Sequence, residues 1–95
     1  MSHFLAMLFL LLATSFATQA RATPVDVARF TDIAEVCIHL SGELDGTKTD
    51  EQRQLIKKTN RYCALAKRRF HALDLKYRHN QAVQARLNQY RDALE

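Results

Sequence analysis

Ile56, Cys63, Phe70 and Tyr77 recur at intervals of seven residues, and Thr59, Ala66 and Leu73 fall between them. Side chains three and four apart share one face of an α-helix, so this spacing draws a single apolar seam along about six turns. A strand has period two and cannot produce it. Such seams are the core contacts of helical hairpins and bundles. The punctuation agrees: two glycines and one proline in 95 residues are too few for the repeated turns of a strand-rich fold. The length excludes doubly wound sheets and α/β barrels, and with them a pocket built from several layers.

The helix ends are legible as well. Thr23 is expected to cap a first helix, with Pro24 in its first turn and Asp26 three positions after the cap. One face follows at Val27, Phe30, Ile33 or Ala34, Cys37 and Leu40. Ser41-Gly42 predicts the stop, with the glycine in the left-handed conformation. Residues 43–48 form a polar loop, and Thr49-Asp50-Glu51-Gln52 reads as a capping box that opens the long helix. Asn80 is expected to cap a third helix after a break or kink at His79-Asn80, with Val83, Leu87, Tyr90 and Leu94 as its stripe. The fold class is all-α, a small helical hairpin plus a C-terminal helix.

Phe4 to Ala13 is an uninterrupted apolar run. A membrane span needs about 20 apolar residues, so the run suits a signal-peptide core. Thr18-Gln19-Ala20 and Ala20-Arg21-Ala22 both satisfy the small-x-small rule, and cleavage after Ala20 or Ala22 is expected. The competing reading is an uncleaved anchor, because Met1-Ser2-His3 has no charge beyond its terminal amine and a histidine. The expected organisation is a cleaved signal peptide at 1–22 and a helical domain at 23–95, exported to the periplasm or secreted.

A core of that size supplies about 3–5 kcal/mol and calls for a staple. Cys37 and Cys63 are the only cysteines, and an oxidising compartment joins them; free or intermolecular thiols are the competing reading. The pairing has a geometric consequence. Cys37 lies near the end of the first helix and Cys63 about 20 Å along the second, so the loop between them must run back roughly 14 Å beside the second helix.

Charge is the least ordinary feature. Residues 22–51 hold seven acidic residues (Asp26, Asp32, Glu35, Glu43, Asp45, Asp50, Glu51) against Arg29 and Lys48, for a net −5. Residues 52–95 hold eleven basic residues against three acidic, for a net +8. Arg53, Lys57, Lys58, Arg61, Lys67, Arg68 and Arg69 fall in an arc opposite the seam, with Lys76 and Arg78 after them. Solvated helices usually mix signs, because like charges at i and i+4 repel. The arc is therefore the candidate surface for an anionic partner, and a solvated face partly neutralised by the first helix is the competing reading.

Other chemistry is poorly served. Cys37 and His39 project about 200° apart on a helix, so they cannot share a metal or form a nucleophile pair. Phosphate-loop spacing is missing, and the acidic pair Asp50-Glu51 has capping as its evident job. No cofactor, metal or small-molecule substrate is expected, no catalysis, and no specific nucleic acid, since the aromatics are spent on the seam.

The run Cys37-Ile38-His39-Leu40-Ser41-Gly42-Glu43, followed by Asp50-Glu51-x-Arg53 and the later Cys63, resembles a group of small exported proteobacterial proteins of unknown function. The similarity covers residues 34–90. It implies an exported two-cysteine helical protein and brings no activity with it. His39, Gly42 and Glu43 thus form a motif without an assigned role; a structural histidine at the helix end is the plainer reading. The expected function is an interaction module acting on a protein partner. The alternative is an envelope-surface binder that sets its basic helix face on anionic lipid or lipopolysaccharide.

Overall fold

The structure, a computed structural model, describes residues 23–95; the expected signal peptide lies outside the described residues. Three helices follow one another: α1 (Val25–Gly42), α2 (Asp50–Lys76) and α3 (Gln81–Leu94). Among the described residues there is no strand. The fold is all-α, with α1 and α2 as an antiparallel hairpin and α3 packed across one end of it.

Two of the three expected caps form, the one at Thr49 as half of its capping box. The Thr49 hydroxyl accepts the Gln52 N–H at 3.2 Å, and the Asn80 side chain accepts the Val83 N–H at 3.1 Å. Asn80 marks a complete break, since residues 77–79 form a turn between α2 and α3. The first cap differs. Pro24 is the residue that flanks α1, and no side chain caps that end. Proline suits the position because its carbonyl still accepts the Ala28 N–H at 2.9 Å while its missing N–H leaves one orphan fewer. Asp26, which accepts the Val27 N–H at 2.9 Å, has a further task. Its carboxylate accepts the Lys76 ammonium at 2.7 Å and the Tyr77 hydroxyl at 2.9 Å, tying the start of α1 to the end of α2.

The end of α1 is a second correction. The helix runs through Gly42 to Glu43, which keeps right-handed angles (φ −89°, ψ −6°). Glu43 N–H and Leu44 N–H bond to Leu40 and Ser41 three residues back, so the helix closes by tightening its last turn. The left-handed residue lies later, at Gly46 with φ 79°.

Cys37 and Cys63 form a disulfide with a Cα–Cα distance of 4.9 Å. Ala34 and Ala66 lie one turn away on their respective helices and are fully buried, and their small side chains permit that close approach. This register sets the end of α1 about two turns inside α2. The connecting loop therefore returns along the first turns of α2, where the Asp45 N–H donates to the Gln52 side chain at 3.2 Å. That bond diverts Gln52 from the reciprocal half of the capping box.

The core gathers around Phe30, which is wholly buried between Phe70 at 6.0 Å and Tyr90 at 5.6 Å, the latter edge-on. Val27, Leu73, Val83, Leu87 and Leu94 complete it. Of the two candidates at one position of α1, Ala34 takes the buried place and Ile33 is half-buried. The α2 seam is buried at Thr59, Ala66, Phe70 and Leu73, and half-buried at Cys63 and Tyr77. Ile56 is 41% exposed because α1 has ended before reaching it. The Thr59 hydroxyl satisfies itself on the Leu55 carbonyl at 2.7 Å.

Candidate binding surface

α2 carries seven lysines and arginines between Gln52 and Leu73 and no acidic residue. Their side chains point outward because the opposite face is committed to α1 and α3, and all seven are exposed. Arg53 pairs with Asp50 one turn away. Lys57, Lys58, Arg61, Lys67, Arg68 and Arg69 have no carboxylate within ion-pair distance among the described residues. Lys57 and Arg61 stand four residues apart, as do Arg53 and Lys57. Each such like-charge contact opposes the helix by about 0.2–0.5 kcal/mol.

The arc has internal structure. Arg53, Lys57, Arg61 and Arg68 fall within about 80° and form an outer ridge about 22 Å long. Lys58 and Arg69 sit on the flank toward α1. Lys67 points to the other flank, about 160° from Arg69, so no one partner surface faces both. Lys76 is drawn out of the arc by its bond to Asp26. Arg29 was not evident from the sequence as part of this surface, yet it lines a shallow depression together with Arg69. The disulfide was the signal that could have placed it, since a 37–63 register sets residue 29 opposite residue 71.

The acidic first half is spent differently. Five of its seven carboxylates already have partners: Asp26 on Lys76 and Tyr77, Glu35 on the Tyr90 hydroxyl, Glu43 on His39, Asp45 on Thr47, and Asp50 on Arg53. Lys76 beside Asp26 holds that carboxyl below its ordinary 3.8, and Asp26 in turn pushes the lysine above its ordinary 10.5. The Thr47 hydroxyl and N–H lower Asp45 in the same way. Burial, then the bond to Glu35, pushes the Tyr90 phenol up. Most of the negative charge is thus held in contacts within the fold, and beyond the Arg53–Asp50 pair the outer ridge at Lys57, Arg61 and Arg68 has no counterion among the described residues.

His39 and Glu43 are joined at 2.9 Å across one turn at the exposed end of α1. A histidine there faces the negative end of the helix dipole, and Glu43 forms the helix cap. Gly42 has open space where a side chain would sit. Among the described residues no group of three or more His, Cys, Asp or Glu gathers in metal-binding proximity. Both sulfurs are committed to the disulfide, so neither is a nucleophile. No described helix is long and apolar enough to cross a membrane. Against known proteins, no family model, no curated protein and no solved structure matches the chain.

Proposed function

We propose that the protein is a small exported, disulfide-stapled interaction module that binds an acidic partner protein through the outer face of α2 and performs no catalysis. The observation that carries this reading is the ridge itself: exposed Lys57, Arg61 and Arg68 lie along one helix with no carboxylate in ion-pair distance among the described residues, and only Arg53 at its start is paired, with Asp50. A helix under such repulsion gains when an anionic surface arrives, and complementary charge speeds and orients the encounter. The disulfide and the apolar run at residues 4–13 support export, as does the resemblance carried by Cys37 to Glu43.

The test is capture from an exported-protein extract. The wild-type chain and a Lys57→Ser/Arg61→Ser/Arg68→Ser variant are compared, with circular dichroism confirming equal helix content. One acidic protein retained by the wild type, released by salt and lost by the variant is the expected result. Equal retention by both chains would refute the ridge as the binding surface.

An anionic envelope surface is the second reading, and Leu75 favours it. This leucine is 67% exposed on the same outer line as Arg68, where an apolar tip can enter a lipid boundary beside the cations. Salt-sensitive binding to phosphatidylglycerol vesicles that weakens in Leu75→Ser supports this alternative, and no binding to them removes it.

A further inference from the structure

We propose that the hairpin face turned away from α3 seats an acidic amphipathic helix of the partner protein, whose apolar ridge lies between α1 and α2 and whose carboxylates meet Arg29, Lys58, Arg61 and Arg69. This deepens the proposed function, and it rests on the partner being an acidic protein.

The third helix covers only one side of the hairpin. Its contacts run from Tyr90 to Glu35 and from Arg91 to Asp74, with the Arg91 guanidinium 4.9 Å above Phe70. The other side carries two depressions. One is lined by Val25, Arg29, Ile33 and Arg69, and the next by Lys58, Arg61, Tyr62 and Leu65. The helical repeat joins them, because Leu65 precedes Arg69 by one turn and Val36 follows Ile33 by one turn. Taken end to end, the two depressions, the Lys58–Leu65 one lined by α2 alone, form a shallow trough with apolar floor and basic rim from Lys58 to Lys76 over about 27 Å, the length of a five-turn helix.

Floor and rim together select the occupant. Ile33, Tyr62 and Leu65 are half-buried and Val36 is 36% exposed, so the apolar atoms lie below the ends of the arginines. A flat bilayer meets protruding side chains first and cannot descend between two helices. A helix can, and seating an apolar ridge in a groove is how amphipathic segments dock. The rim is cationic on both walls, from Arg29 on α1 and from Lys58, Arg61 and Arg69 on α2. Of the acids near this face, Asp26 is already held by Lys76 and Tyr77 and Glu43 by His39, while Asp32 lies one turn from Arg29 on the outer side of α1. Charge complementarity therefore calls for Asp or Glu on both flanks of the incoming ridge.

The probe is a synthetic helical peptide of five turns with leucines on one face and glutamates flanking them. Its control has the same composition with the leucines scattered. Fluorescence anisotropy is expected to show the amphipathic peptide binding at least tenfold tighter, with methyl NMR shifts at Ile33, Val36 and Leu65. An Arg29→Ser/Val36→Asp variant, both positions being exposed, is expected to lose at least tenfold. If both peptides bind equally and depend only on Lys57, Arg61 and Arg68, the trough is wrong and the acidic-partner reading stands. If neither peptide binds, both fall. The same methyl shifts produced by phosphatidylglycerol vesicles, or by self-association in sedimentation, would overturn the assigned occupant.

Discussion

Removing the disulfide should cost this domain nearly half of its stability. The bridge closes a loop of 26 residues, and the chain-entropy relation for that length gives about 3.5 kcal/mol. A single small core contributes about 3–5 kcal/mol, so the staple and the core are comparable. The loss corresponds to a roughly 400-fold change in the folded-to-unfolded ratio. Cys37→Ala/Cys63→Ala is the suitable perturbation, because alanine favours helix at both positions and leaves no thiol to reshuffle. For a chain this short the denaturant slope is about 1 kcal/mol per molar urea, which places the midpoint roughly 3 M lower than in the oxidised protein. Urea titration followed by far-UV circular dichroism reads this directly. A shift below about 0.5 M would mean that packing at Ala34 and Ala66 holds the hairpin without covalent help, against a stabilising role for the bridge.

Four further outcomes follow from named contacts. Phe30→Ala removes the side chain on which Phe70 and Tyr90 converge and should cost about 3–5 kcal/mol by chemical denaturation; a loss under 1 would place the core elsewhere. Asn80→Ala leaves the Val83 N–H unsatisfied at the start of α3 and should cost about 1 kcal/mol, with hydrogen exchange rising first in that helix. Tyr90→Phe gives up the 2.8 Å bond to Glu35 at a cost of about 1 kcal/mol. Since the folded phenol titrates above its ordinary 10.0, its contribution is complete below that value and fades as pH rises through the folded one, and Tyr90→Phe should flatten this alkaline loss. Asp26 titrates below 3.8 in the folded state, so its contribution is present above 3.8 and fades as pH falls through the folded value; an acid limb of the urea midpoint identical in Asp26→Asn would contradict the link between α1 and α2.

Much of the fold was legible because periodicity and burial coincide. The stripes at Val27–Leu40, Thr59–Leu73 and Val83–Leu94 are the buried faces, and the two cysteines demanded a returning loop that the Asp45–Gln52 bond now documents. What failed was local. Thr23 and Gly42 have the residue types of a cap and a stop, but tertiary contacts decide. Asp26 bridges to Lys76 and Tyr77 while it also accepts the Val27 N–H of its own first turn, and the last turn of α1 tightens without a left-handed residue. The basic arc was visible as an arc, yet its division into a ridge and two flanks depends on where α1 and α3 pack. Lys67 and Arg69 are near neighbours in sequence and face opposite sides of α2, and Arg29 joins the surface only through the hairpin register. The partners of Asp26 and Glu35 lie 50 to 55 residues away, beyond the reach of any local pattern.

On this reading the outer ridge of α2 meets an acidic protein. Placing a photo-crosslinking side chain at Ala64, an exposed position between Arg61 and Arg68, and another at exposed Ala85 on α3, tests it inside the source cells. A single acidic protein is expected to cross-link from Ala64 and not from Ala85, and in an extract of those cells to fade at high salt as the screening length falls from about 10 Å at 0.1 M to about 3 Å at 1 M. Equal labelling from both positions, or a species from Ala64 that is indifferent to salt, would contradict it.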